Sequence, residues 1–138
     1  MVNDILLNKA AIIERCLARV NEEYRGHEQE LETNYTRQDS IILNLQRACE
    51  ASIDAAMHLV RVRKLGIPQE SREAFEMLHG AGIIDRHLCD RLMAMVGFRN
   101  VAVHDYRKLN LEILVSIVED HLDDFKAFCS LMLSESQA

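Results

Sequence analysis

Across residues 3–31 the apolar side chains Ile5, Leu6, Ile12, Ile13, Leu17, Val20, Tyr24 and Leu31 recur at spacings of three, four and seven. Such spacing collects residues on one face of a helix, whereas a strand collects alternate residues. Asn3 precedes the run and can cap its first free N–H groups. The pattern predicts a helix over 3–32, about 43 Å long at roughly 1.5 Å per residue. A compact chain of this size has a radius of gyration of about 14 Å. One helix therefore crosses the whole body, and the expected shape is an elongated bundle.

Asn34-Tyr35-Thr36 interrupts this pattern, and a second one follows over 37–64 with Ile41, Ile42, Leu45, Ala48, Cys49, Ser52, Ile53, Ala56, Met57 and Val60. Small residues dominate its middle, which lets a neighbouring backbone approach closely. Lys64-Leu65-Gly66 closes it, with Gly66 expected as a left-handed cap and Pro68 beyond. Shorter helices are expected over 71–79, 86–101 and 111–133, the fourth capped by Asp85 and the fifth by Asn110. No strand pattern or internal repeat is present. The expected architecture is all-α: one domain over 1–138, with two long antiparallel helices and shorter ones packed on them.

The 138 residues carry a net charge of −6, which argues against broad electrostatic binding to nucleic acid, so any RNA contact must be local and no DNA partner is expected. Cys16, Cys49, Cys89 and Cys129 are isolated, without the paired spacing of a zinc or disulfide site, and read as small core residues. Asp4 precedes the first short apolar pair and Lys9 follows it, the reverse of a secretory signal, and no apolar run reaches membrane-spanning length. These features point to a soluble, cytoplasmic protein with no membrane partner.

One window concentrates the chemistry: Gly97-Phe98-Arg99-Asn100-Val101-Ala102-Val103-His104-Asp105-Tyr106. It brings a guanidinium, a carboxamide, an imidazole and a phenol to the junction of the fourth and fifth helices, and each can meet phosphate oxygens or move protons. On a continuous helix Asn100 and His104 share a face, while Arg99 and His104 stand about 140° apart. Arg99 and His104 can act on one phosphate only if the helix loosens or a second chain completes the site. The β-branched Val101 and Val103 favour loosening, so fraying is expected between Ala102 and Asp105, with the site at a subunit interface. An arginine and a histidine with four to six residues between them occur once more, at Arg72 and His79, but without the amide or the phenol. That pair reads as a decoy.

Arg99-Asn100-x3-His104-Asp105-Tyr106, with the order of elements around it, resembles the signature of the HEPN superfamily in its HepT-like toxin branch. The resemblance also covers the helix Arg72-Glu73-Ala74-Phe75-Glu76-Met77-Leu78 and the lead-in Gly82-Ile83-Ile84-Asp85. It implies a HEPN-type homodimer and a metal-independent endoribonuclease without cofactors, the toxin of a type VII-like toxin–antitoxin pair. In that reading His104 is the general acid or base, Arg99 stabilises the phosphorane charge, and Asn100 orients the imidazole or the phosphate. The resemblance further implies a minimal nucleotidyltransferase antitoxin that attaches AMP to Tyr106. By residue type, Arg107 and Lys108 make the motif's surroundings locally positive for RNA and Arg86 and Arg91 extend that patch along the fourth helix, although such residues more often form a solvated face.

Blander readings stand beside these. His104 by residue type alone also fits a helix-capping side chain, and Arg99 fits an ion pair with a carboxylate such as Asp105. The chain as a whole also fits a non-catalytic helical subunit that binds and regulates a nucleotidyltransferase. Glu119, Asp120, Asp123 and Asp124, beside His121, admit a divalent-metal phosphohydrolase but read better as a solvated or partner-facing stripe.

Overall fold

A computed structural model describes residues 3–106 and 109–137. Its elements are helices α1 (Asp4–Tyr24), α2 (Tyr35–Val62), α3 (Ser71–Gly80), α4 (Arg86–His104), α5 (Leu111–Asp120) and α6 (Leu122–Ser136), with a short 3-10 turn at Glu28–Glu30. Among the described residues there is no strand. Asn3, Asp85 and Asn110 each cap a helix through the side-chain oxygen, Asn3 accepting from Ile5 and Leu6, Asp85 from Leu88 and Asn110 from Ile113. Each bond satisfies a backbone donor that the first helical turn leaves open.

The α1 and α2 helices run antiparallel, because Lys9 pairs with Asp54 near one end and Arg37 with Glu23 near the other. The α6 helix returns along α1, where Cys129 Sγ donates to the Ala10 carbonyl and the Asn3 amide to that of Ser136. Helix α2 packs against α1, α3, α4 and α6, and being surrounded it is lined with Ala48, Ala51, Ser52, Ala55 and Ala56, all buried. The small side chains let four neighbours approach one axis. Phe75 of α3 and Phe128 of α6 meet edge to face at 5.7 Å between ring centroids. All four cysteines are free and buried, and burial pushes the Cys49 thiol up to about 12.

Several boundaries differ from the sequence expectation, each for a local or tertiary reason. The first helix stops at Tyr24 rather than Glu32. Gly26 takes φ +83° there, a conformation that costs glycine little, and Arg37 Nη1 donates at 2.8 Å to the carbonyl of Glu23. That bond satisfies an acceptor left open by the helix end. Leu31 is still buried, but from the turn that follows, so its sevenfold spacing from Tyr24 continued the apolar rhythm without continuing the helix.

At the end of α2 the left-handed residue is Lys64, with φ 55°, and not Gly66. The Lys64 amide bonds the Arg61 carbonyl and the Leu65 amide that of Val60, the two-bond Schellman closure. The half-buried Leu65 then packs on the core. Helix α4 runs three residues past its expected end and stays helical through His104, the Asp105 amide donating to the Val101 carbonyl at 2.8 Å. The β-branched penalty is only a few tenths of a kcal/mol per residue, and burial of Ala102 holds the last turn. The expected fifth helix is two, divided at His121 (φ −123°, ψ 0°).

Candidate functional site

The chemistry-bearing window forms the C-terminal half of α4 and the turn that leaves it. Gly97 begins it at a close approach, since a Cβ there would lie 3.0 Å from Nη2 of Arg72 on α3. One turn on, Phe98 and Ala102 are buried and face the core, while Arg99 and Asn100 are half-buried and Val103 and His104 are exposed. Apolar anchors on one side of the helix thus fix which groups the other side offers.

Arg99 Nη1 donates to Asn100 Oδ1 at 3.1 Å. The Asn100 amide oxygen is thus engaged by the guanidinium of the neighbouring residue. Arg99 Nε is buried without a hydrogen-bond partner among the described residues. No ion pair to Arg99 is found among them either, which leaves the planar donor fork without a carboxylate. The charge reaches inward as well, acting on the thiol of Cys49 against the effect of its burial. Because α4 does not fray, Arg99 and His104 stay about 140° apart on one helix. The loosening that would have let one chain aim both groups at a single phosphate does not occur.

Tyr106 turns back across the bundle. Its hydroxyl donates to Oδ1 of Asp39 in α2, a residue that the sequence gives no reason to single out, since it lies 67 positions away. Burial, then the hydrogen bond and the negative charge of Asp39, push the phenol up to about 12. Tyr106 remains 46% exposed. Arg107 and Lys108, expected at the RNA-binding edge, lie outside the described residues.

Other candidates prove to be structural. Arg86 pairs with Glu76 and Asp90, and Arg91 with Asp124, so neither extends a free basic patch. Arg72 leans over Gly97 with Nε toward the Met93 carbonyl, and His79 Nδ1 faces the Ile84 carbonyl, so this second Arg–His pair joins elements of the fold. The acidic stripe is dispersed as well. Glu119 accepts from Tyr24 and Arg25, Asp123 pairs with Lys126, and Asp124 accepts both Arg91 and His121. Among the described residues no three ligand-type side chains converge as a metal would need.

A groove of about 690 Å³ runs between α4 and α5, its apolar wall formed by Met95, Phe98, Val101, Leu109, Ile113 and Ile117. Gly97 and Val101 on its floor continue, at three to four residues per step, toward His104. Ile113 adds exposed apolar surface to it. Among the described residues no helix is long and apolar enough to cross a membrane.

A family model described as HepT-like, ribonuclease HepT-like, matches residues 13–132. The chain is 48% identical over 134 residues, 97% of its length and 100% of the relative's, to a Shewanella oneidensis protein named mRNA nuclease HepT. It matches a solved structure of the tri-AMPylated Shewanella oneidensis HEPN toxin in complex with MNT antitoxin with a TM-score of 0.91 and 48% identity, over 96% of this chain and 98% of that one. The Bacillus subtilis protein YutE, at 12% identity, matches with a TM-score of 0.83 over 97% of this chain and 90% of its own. That last likeness is one of fold alone.

Proposed function

The chain belongs to the HepT-like ribonuclease family, and from that membership we propose that it is an endoribonuclease, the toxin of a toxin–antitoxin pair with a minimal nucleotidyltransferase as antitoxin. The observation that carries the reading is the near full-length identity to a protein named as an mRNA nuclease.

The residues supply a mechanism for it. The ribose 2′-oxygen attacks the adjacent phosphorus and the 5′-oxygen leaves. His104, exposed at the end of α4, takes the proton from the nucleophile or gives one to the leaving oxygen. Arg99, with its fork held by Asn100 and without a carboxylate partner among the described residues, spreads its donors over the phosphoryl oxygens as charge builds on them. Imidazole moves the proton and guanidinium takes up the charge, so the steps need no metal. Arg107 and Lys108 would steer the RNA backbone toward the pair.

Two protomers complete the site. The unbroken helix separates Arg99 from His104 within one chain, so an imidazole of one protomer and a guanidinium of its partner close on the same phosphodiester across a twofold axis. The apolar groove between α4 and α5, with exposed Ile113 in its wall, supports burial against a second copy. The antitoxin attaches AMP to Tyr106, two residues beyond the imidazole, and the added anion blocks the phosphate site and offsets Arg99. Toxin and antitoxin meet in the cytoplasm.

The test is cleavage of RNA by the purified chain in excess chelator, with 2′,3′-cyclic phosphate ends as product. Arg99→Ala and His104→Ala are each expected to lose about a hundredfold or more in rate with helicity unchanged. A chain that binds its nucleotidyltransferase tightly yet cuts no RNA would be a regulatory subunit instead.

A further inference from the structure

We propose that Asp39 is the general base for adenylylation of Tyr106, so that the toxin itself supplies one of the groups by which it is silenced. The proposal rests on the reading of Tyr106 as the modified residue.

The chain has three tyrosines, and their surroundings differ in the two properties that modification requires. Tyr35 is 71% exposed, but its hydroxyl has no carboxylate partner among the described residues. Tyr24 donates to Glu119 at 2.7 Å, yet it is only 3% exposed. Its carboxylate is also held by Arg25, and the bond from Tyr24 and that cation hold Glu119 below the usual carboxylate range. Of the three, Tyr106 joins a partly exposed side chain to a carboxylate acceptor, and among the described residues no cation pairs with Asp39. Asp39 also comes from a different helix, so the acceptor is held by the rigid start of α2 while the phenol sits on the turn leaving α4.

The chemistry balances with one co-reactant, a nucleoside triphosphate held by the partner enzyme. Tyr106 Oη attacks the α-phosphorus, the bond from that phosphorus to the β-phosphate oxygen breaks, and pyrophosphate leaves. The phenolic proton passes along the existing hydrogen bond to Asp39 Oδ1 as the new ester bond forms, and from there to solvent. A neutral phenol is a weak nucleophile, and burial and Asp39 itself hold Tyr106 well short of free ionisation. Transfer during attack, rather than before it, is the route open to such a group, and a positioned base is worth about a hundredfold or more.

The experiment combines the purified chain with its cognate nucleotidyltransferase, magnesium and ATP labelled at the α-phosphate, and follows label by intact mass. Asp39→Asn keeps an oxygen that can accept the hydrogen bond but removes the base. It is expected to slow labelling about tenfold or more while RNA cleavage by the unmodified chain and helicity stay at the parent level. Asp39→Glu is expected to recover much of the lost rate. Labelling of Asp39→Asn at the parent rate overturns the role of Asp39. Label that persists in Tyr106→Phe overturns instead the assignment of the modified tyrosine.

Discussion

Asn100 Oδ1 accepts from Arg99 Nη1 at 3.1 Å, which ties the amide on the His104 face of α4 to the guanidinium on the neighbouring face. Asn100→Ala is therefore expected to leave both reacting groups present but Arg99 poorly aimed, and to lower the cleavage rate about ten- to a hundredfold. The loss should lie between that of Arg99→Ala and the parent. Single-turnover cleavage of a defined RNA measures it, and an unchanged rate would show that the amide positions nothing.

If the site is shared between protomers, two dead chains can make a live one. Arg99→Ala and His104→Ala protein, unfolded together and refolded as a mixture, should regain cleavage that neither has alone, because each mixed dimer still offers one intact imidazole opposite one intact guanidinium. Absence of any recovery, with mixed dimers verified by mass, would return the site to a single chain.

The rim of the groove between α4 and α5 gives a separate handle on assembly. Ile113 is exposed and lines that groove. Ile113→Arg would place a charge where an apolar contact is expected, and should convert the proposed dimer to monomer in sedimentation velocity and abolish cleavage while retaining the helical spectrum. A variant that stays dimeric and active would move the interface elsewhere.

Asp124 is buried at 8% exposure and takes Arg91 Nε on both oxygens, at 3.0 and 3.1 Å, with His121 Nδ1 at 3.2 Å. Asp124→Ala leaves a partly buried guanidinium without its acceptor and should cost about 1–3 kcal/mol. Arg91 retains some access to water, which keeps the cost toward the lower end. A chemical denaturation curve with lowered midpoint and unchanged slope would report it.

The phenols of Tyr24 and Tyr106 are each pushed up to about 12, Tyr24 by burial and then by Glu119, Tyr106 by burial and then by Asp39. A phenol that ionises at higher pH in the folded chain keeps its stabilising effect below the unfolded value near 10 and loses it as the pH rises through the folded value. Stability should thus fall from about pH 10 upward. Near pH 10.5 the native chain should show less phenolate absorbance at ~295 nm than the denatured chain. In Asp39→Asn part of that difference should disappear, since one of the causes is the Asp39 charge.

Periodicity and punctuation carried much of the helical order. Asn3, Asp85 and Asn110 accept the first-turn amides as their positions before apolar runs suggest. Boundaries failed where a distant residue decides them. The carbonyl at the end of α1 is met by Arg37 from the next helix, and the break at His121 adjoins the Arg91–Asp124 pair from α4. Lys64 rather than Gly66 turns the chain after α2 because the two Schellman bonds and the seating of Leu65 outweigh the cost of a side chain at positive φ.

The sequence by itself determined that the chain is helical and that its reactive groups crowd the end of the fourth helix, because both follow from local spacing and residue type. Only the tertiary structure decided how those groups are held. It kept α4 intact to His104 through burial of Ala102 and brought Asp39 under the hydroxyl of Tyr106. Both depend on which helices lie side by side, a relation between residues far apart in the chain that no local pattern encodes.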